Sequence, residues 1–219
     1  MNTDNYGVYG SESKSFGGTF PVWKNIDNEG IEDNGGTFKV ISSFATEYPT
    51  GTIIPAGTPV NLTGGVLTIL PTYELAADIL ATDTVILFKA AGTAIPLKSG
   101  QYIMPAPATV GTTGTVVCAT TVAYNATTNQ YEVTIVADAW GHTAKAGDIY
   151  VGSSATAAGS GKSILTVPTG LLRREVYIGA GATVATGASV FHGNILVDRI
   201  PPMPACVKNV LTMIKFTPE

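Results

Sequence analysis

The amino-acid sequence predicts an all-β protein, and three observations support this fold class. Threonine, valine and isoleucine, which favour strands, are abundant throughout the 219 residues. Short apolar runs alternate with turn-forming glycine, proline and asparagine. A single segment has clear helical spacing. A chain of this length can bury roughly 70% of its unfolded surface, which is sufficient for one large β domain or two small ones.

The stretch 51–65 shows how glycine and proline set the element boundaries. Two β-rich runs, 52–54 and 58–62, flank Pro55-Ala56-Gly57. Proline fixes its own φ and glycine tolerates a positive φ, so we expect a tight turn between two strands. Pro59 has no backbone N–H, which places the second strand at an edge or a bulge.

Residues 1–37 are predicted to form an extended arm. This segment is rich in glycine, asparagine, serine and acidic residues, and lacks regular periodicity. It still carries more large apolar side chains than a disordered tail would. The expected anchors of the arm are Phe16, Phe20, Trp23, Ile26 and Ile31. From the residues alone, these anchors could dock on the protein's own body, on a neighbouring subunit or on a partner.

The next part of the chain is predicted to contain one short helix among strands. Over residues 73–80, Leu75, Ile79 and Leu80 share a helical face, and Thr72 is a suitable N-cap. Strands are predicted around it at residues 37–44, 66–70 and 84–88.

The remaining sequence predicts a β-hairpin and a C-terminal β-region. Residues 115–137 form the clearest hairpin, which we expect as an insertion in a domain spanning 38–151. A glycine- and serine-rich flexible loop is predicted at 152–163. Residues 164–219 should contain short strands packed on the same body. The last of these, 207–216, has strand-forming residues, although its apolar spacing also fits a helix.

The charge pattern excludes several functional classes. Charged residues make up only 13% of the chain and the net charge is −4, so no basic surface for nucleic acid is expected. No apolar run is long enough to span a membrane. The polar start lacks a signal peptide, which predicts synthesis in a cytoplasm without export. Cys118 and Cys206 are predicted to be free structural thiols. A surface so poor in charge suits a protein that is covered by other chains.

No catalytic, metal or cofactor site is predicted. The run Gly159–Ser163 resembles a phosphate loop, but Thr156 stands where the motif requires glycine. His142 and His192 have carboxylates nearby in sequence but no marked nucleophile. The acidic arm segments lack the spacing of a Ca²⁺ loop. We therefore expect a non-enzymatic protein without cofactors.

The charged trio Arg173, Arg174 and Glu175 begins a predicted strand. Charges at this position can protect a strand edge against unwanted pairing. They could equally form ion pairs between subunits. Both interpretations remain open at the level of sequence.

Residues 51–60, together with 72–80 and 85–88, resemble tailed-bacteriophage head decoration proteins. In that family a clip-like turn of the Gly-x-Val/Ile-x-x-Gly-Thr-x-Val kind precedes an Ala-rich helical turn and further strands. The lambda-type head stabiliser, a trimeric β-clip protein, is the relative that this pattern suggests. The resemblance covers about residues 38–90 and 145–151, while the added β-regions are similar to those of phage head-fibre proteins.

This resemblance implies a homotrimer on the outside of a virion. Its partner would be the major capsid protein, and the arm would lie on the shell. A receptor- or glycan-binding fibre or adhesin module is the alternative. Clustering of Tyr124, Tyr131 and Trp140 on one exposed face would favour that alternative.

Overall fold

The all-β fold class is confirmed by the computed structural model of the chain. The structure describes residues 22–23, 32–39, 53–90, 97–136, 141–164, 167–178 and 184–218. Within these ranges the first eight strands are β1 (Glu32–Lys39), β2 (Ile53–Ile54), β3 (Pro59–Thr63), β4 (Val66–Ile69), β5 (Thr72–Glu74), β6 (Val85–Lys89), β7 (Tyr102–Pro105) and β8 (Gly114–Asn125). The others are β9 (Gln130–Ile135), β10 (Ile149–Gly152), β11 (Gly159–Gly161), β12 (Gly170–Leu172), β13 (Val176–Tyr177), β14 (Val184–Leu196) and β15 (Ile214–Thr217).

The strands belong to two compact units, each with its own sheet. The first unit contains the described residues up to Ile69, then Pro168–Ile200 and the residues from Val210 onward. The second unit contains Leu70–Val167 and Pro201–Asn209. We call them the first and the second barrel, because the strand pairings of each close into a ring.

In the first barrel, the ring runs β1-β4-β3-β12-β14 and returns to β1. Strand β1 closes the ring from both sides. Its Thr37 pairs in parallel with Val66 of β4, and the whole of β1 pairs antiparallel with β14. The far end of β14 pairs in parallel with β15. Its interior is aliphatic, with fully buried residues such as Val60, Leu171 and Val190.

The predicted turn at 55–57 is confirmed in this barrel. Gly57 has a φ of +79°, and Thr58 Oγ1 donates to the Pro55 carbonyl at 2.7 Å. The Gly57 N–H donates to the carbonyl of Leu172 at 2.7 Å. Pro59 was expected at an edge or bulge, but β3 lies between β4 and β12. The strand tolerates the missing N–H because Pro59 is its first residue.

In the second barrel, the strand order is β5-β10-β7-β8-β9-β6, and β11 adds to β8. The ring closes where the residues that follow β5 meet β6. There Leu75 forms an antiparallel bridge with Phe88, and the Ala76 N–H donates to Leu87 O at 2.8 Å. Closure leaves no long unpaired edge in this ring.

An aromatic cluster fills the second barrel. The rings of Tyr73 and Phe88 lie 5.9 Å apart, and those of Phe88 and Tyr150 lie 5.6 Å apart at 72°. Both are favourable tilted or edge-to-face contacts. Aliphatic residues from the neighbouring strands, including Ile103 and Val133, complete this core.

The helix predicted at 73–80 is wrong. Residues 72–74 form strand β5, and Tyr73 and Leu75 are both fully buried. Two buried side chains separated by two positions share one face of a strand, but not of a helix. Leu80, which the helical spacing placed in the core, is 61% exposed.

The strand predicted at 207–216 is correct only at its end. Residues Ala205–Val210 form helix α1, and β15 begins at Ile214. The N–H groups of Val207 and Lys208 donate to the carbonyl of Pro204 at 3.1 and 3.2 Å and form the first turn of this helix. Proline suits the start of a helix and cannot continue a strand ladder. In the described part of the chain, no helix is long and apolar enough to cross a membrane.

The segment predicted as a flexible loop, 152–163, is held by strand pairing instead. Strand β11 pairs with β8, with Gly161 opposite Gly114. Ser153 Oγ donates to the carbonyl of Lys162 at 2.7 Å. A Cβ on Gly161 would lie 2.8 Å from the Val116 side chain. The glycines there permit two strands to approach closely. A glycine-rich composition is also typical of flexible loops, so composition alone could not distinguish the two structures.

The two barrels also divide the chain differently from the predicted domains. The predicted body 38–151 is split between Ile69 and Leu70. Within 164–219, β12 and β14 pair with β3 and β1, while 201–209 belong to the second barrel. The last residues of the predicted arm, from Glu32, are part of β1. Strand pairing between sequence-distant segments therefore sets the real boundaries.

Candidate functional site

The predicted hairpin is confirmed, and side-chain hydrogen bonds fix its exposed tip. Strands β8 and β9 pair from Ala119–Ile135 to Asn125–Gln130. At the turn, Asn125 Oδ1 accepts hydrogen bonds from the N–H groups of Thr127 and Thr128 at 3.0 and 3.3 Å. Asn129 adopts a φ of +52°, which asparagine tolerates better than most residues. These local bonds fix the shape of the tip.

Two tyrosines form an aromatic pair beside this turn. Tyr124 lies directly across from Tyr131, with ring centroids 5.5 Å apart and tilted at 50°. Tyr131 packs against the barrel core, whereas Tyr124 is 56% exposed. The Tyr124 hydroxyl donates to Asn129 Oδ1 at 3.0 Å. Burial, and then the proximity of Tyr124, raise the pKa of Tyr131. An exposed ring is thus held in one orientation.

The opposite face of the same strands points away from the core. We call it the outer face. The strand register assigns to it Val85, Leu87, Thr121, Ala123, Glu132 and Thr134, and the exposed Val136 follows directly after β9. Val85 is 48% and Val136 56% exposed. Its charged residues are Glu132, in the middle row between Leu87 and Ala123, and Lys89, in the end row beside Asn125. There Asn125 Nδ2 donates to Glu132 Oε1 at 3.1 Å.

A cleft of about 530 Å³ opens elsewhere in the second barrel. Its walls come from three segments, 105–108, 142–150 and 204–205, and are rich in proline and alanine. At its base the Tyr150 hydroxyl lies 3.2 Å from His142 Nε2, with the two rings stacked. Burial, then the nearby Asp148 carboxylate, raise the pKa of Tyr150. The phenol therefore remains protonated at neutral pH.

The arm anchor Trp23 docks on the protein's own first barrel. It is 3% exposed, and its indole N–H donates to the carbonyl of Arg173 at 2.8 Å. Trp23 also forms an antiparallel bridge with Ile195. This side chain is therefore not available for a partner. The other predicted anchors, Phe16, Phe20, Ile26 and Ile31, lie outside the described residues.

The trio Arg173, Arg174 and Glu175 lies between β12 and β13. The Arg173 N–H donates to the carbonyl of Ala188 at 2.8 Å, while Arg174 is exposed. These residues connect two strands of one barrel, and their role between subunits stays a prediction.

The two candidate histidines belong to different barrels. His192 lies in β14 of the first barrel, and His142 in the cleft of the second. Asp138, the carboxylate near His142 in sequence, lies outside the described residues, as does Trp140. Across the ranges that the structure describes, no group of three or more His, Cys, Asp or Glu is arranged to hold a metal ion.

The two cysteines are free thiols. Cys206 is buried, and burial raises its pKa. Cys118 is half-buried, because it alternates along β8 with the inward-facing Val117 and Ala119.

Sequence reasoning named the tyrosines but missed their support. Asn125, Asn129 and Glu132 orient the tip through side-chain hydrogen bonds. The signal was an asparagine at each end of a short polar link between two β-rich runs.

The chain was compared with known proteins at three levels. No family model matches it, and no curated protein and no solved structure is significantly similar to it.

Proposed function

We propose that the chain is a structural protein of a tailed-bacteriophage virion, which binds the outside of the capsid as a head-stabilising decoration or a head-fibre protein. Its partner is the major capsid protein, and it acts as a homotrimer without catalysis. Binding to the assembled shell and not to its loosened form would stabilise the shell by mass action.

The observation that carries this proposal is the outer face of the second barrel. Three neighbouring strands expose valine, alanine and threonine there, and the row of Val85, Thr121 and Thr134 carries no charge. A protein working alone in solution usually places lysine and glutamate on such a sheet face. Contiguous exposed apolar surface instead marks contact with another protein. The low overall charge, 13% of residues, agrees with this interpretation.

The proposal is tested by cosedimentation of the purified chain with capsid shells of the phage that encodes it. Wild-type protein should saturate the shells. Val136→Glu places a charge at the uncharged end of the outer face, directly after β9, and should weaken binding about tenfold or more, since desolvating an unpaired charge is costly.

Thr112→Glu is the matched control. Thr112 lies in an exposed turn of the same barrel, away from the outer face. This variant should bind like wild type, and both variants should keep the wild-type circular dichroism spectrum. Absence of wild-type protein from the sedimented shells, or equal binding by Val136→Glu, would contradict the proposal.

A further inference from the structure

We infer that the hairpin tip of the second barrel is a binding site for neutral carbohydrate, with the exposed ring of Tyr124 as its platform. This inference does not rest on attachment to a capsid. It follows from the exposure of the tyrosine pair, from the bonds that hold it and from the charge around it.

The first argument is exposure without mobility. An exposed tyrosine on a hairpin normally loses rotamer freedom when it binds a ligand, which weakens binding. Tyr124 is already fixed, because Tyr131 supports one side of its ring and Asn129 Oδ1 accepts its hydroxyl proton. Tyr131 is in turn packed against the core. The chain therefore presents an immobilised aromatic surface that is 56% exposed.

The second argument is the left-handed conformation of Asn129. Its φ of +52° makes it the one non-glycine residue with a positive φ among the described residues. Such strain persists where surrounding contacts require it. Here the asparagine side-chain oxygen accepts the Tyr124 hydroxyl, so its amide group lies at the hydroxyl edge of the ring. A flat apolar surface with an amide at its edge suits the C–H face and hydroxyl groups of a pyranose.

The third argument is charge. Strands β8 and β9 and the turn between them carry no lysine or arginine, and their one charged residue is Glu132. The nearest lysine in register, Lys89 opposite Gln130, is paired with the carboxylate of Glu74. A site for an acidic sugar or a phosphate would need basic or bidentate donors. The tip therefore favours a neutral saccharide over an acidic one.

A purely structural role is the competing explanation, since cross-strand aromatic pairs stabilise hairpins. A substitution at Asn129 distinguishes the two explanations. Asn129→Gly removes backbone strain, because glycine adopts a positive φ freely, but it also releases the Tyr124 hydroxyl. If the pair serves stability alone, sugar binding does not occur in any variant.

The test is saturation-transfer difference NMR of the full chain with maltotriose, cellotriose, N-acetylchitotriose and the acidic 3′-sialyllactose. We expect transfer from wild-type protein to at least one neutral trisaccharide. Tyr124→Ala should weaken that affinity about tenfold or more, and Tyr124→Phe by only a few fold, because the ring remains. Asn129→Gly should weaken binding about threefold while Tm stays equal or rises.

Leu80→Ala is the control, since Leu80 is 61% exposed in the same barrel but lies outside the hairpin. It should leave sugar binding unchanged. The inference is overturned if wild-type protein transfers saturation to no neutral trisaccharide, if only 3′-sialyllactose binds, or if Tyr124→Ala binds as wild type does.

Discussion

The two barrels are closed rings, but they are assembled in opposite ways. The first joins segments far apart in sequence: β3 pairs with β12, and β14 pairs with β1. The second takes all of its strands from a single stretch, between Thr72 and Gly161. Loop closure is costly before distant contacts form. The first barrel therefore depends on segments near the chain ends, and the second on local pairing.

Their interiors differ in the same direction. The second barrel has a continuous aromatic cluster at its centre. The first has an aliphatic interior, to which Trp23 adds a large aromatic side chain from before β1. The second barrel also carries the two exposed features described above, which are the hairpin tip and the cleft. The comparison suggests that the first barrel is a scaffold closed by the N-terminal segment, and the second carries the recognition surfaces.

The largest expected effect comes from a truncation of the N-terminal segment. Deleting residues 1–39 removes Trp23 and β1, so the ring β1-β4-β3-β12-β14 cannot close. We expect the first barrel to unfold and the second to remain folded. Hydrogen exchange followed by mass spectrometry should show loss of protection in β3, β12 and β14, with β8 and β9 still protected.

Deleting residues 1–21 is the matched control, because it keeps Trp23 and β1 but removes Phe16 and Phe20. This variant should keep wild-type protection in both barrels. If those two anchors bind the capsid, it should also lose affinity for shells. A cut at residue 37, the end of the predicted arm, would also remove most of β1. Equal protection in the 1–39 deletion and the wild type would refute the assigned role of β1.

A smaller effect is expected from two glycine substitutions in the first barrel. At Gly57, alanine meets both a positive φ and the Ile200 side chain, 2.3 Å from the new Cβ. Strain and overpacking together should cost about 2–5 kcal/mol. At Gly64, φ is +58° but nothing lies within 4 Å, so Gly64→Ala should cost about 1–2 kcal/mol.

Both costs can be measured by urea unfolding in a Trp140→Phe background, where Trp23 is the remaining tryptophan. The difference between the two variants reports the contact with Ile200. Equal losses would mean that the packing around the turn relaxes without cost.

Local features were the predictable part of this fold. The turn at 55–57 and the hairpin at 115–137 need only neighbouring residues, so glycine, proline and asparagine placed them correctly. Pairing across the hairpin also put Tyr124 opposite Tyr131. The ring closures could not be predicted, because β1 meets β14 across about 150 residues and nothing in either segment names its partner.

The helix predicted at residues 73–80 was wrong for a related reason. Alanine-rich composition favours a helix by a few tenths of a kcal/mol per residue, whereas burying Tyr73, Leu75 and Ile79 in the barrel gains roughly 1.5–3 kcal/mol each. Tertiary burial prevails over local preference. The cleft could likewise not be predicted from the sequence, because the contact of His142 with Tyr150 depends on the turn between them.

The last prediction concerns alkaline pH and separates the two interiors. Burial raises the pKa of Tyr73 and of Tyr150 well above the ordinary value of about 10. A raised folded-state pKa means that the stabilising protonated form is fully present below pH 10, and that stability is lost as pH rises beyond it. For fully buried Tyr73 the slope approaches about 1.4 kcal/mol per pH unit.

Between pH 9 and 11, hydrogen-exchange protection in the second barrel should therefore fall faster than in the first, whose described core contains no buried tyrosine. Tyr73→Phe loses the hydrogen bond from Gln101 Nε2, which should cost about 1 kcal/mol at pH 7. Because phenylalanine cannot ionise, the same variant should decline less steeply above pH 10. Its pH profile and that of wild type would run parallel if Tyr73 ionised freely in the folded barrel.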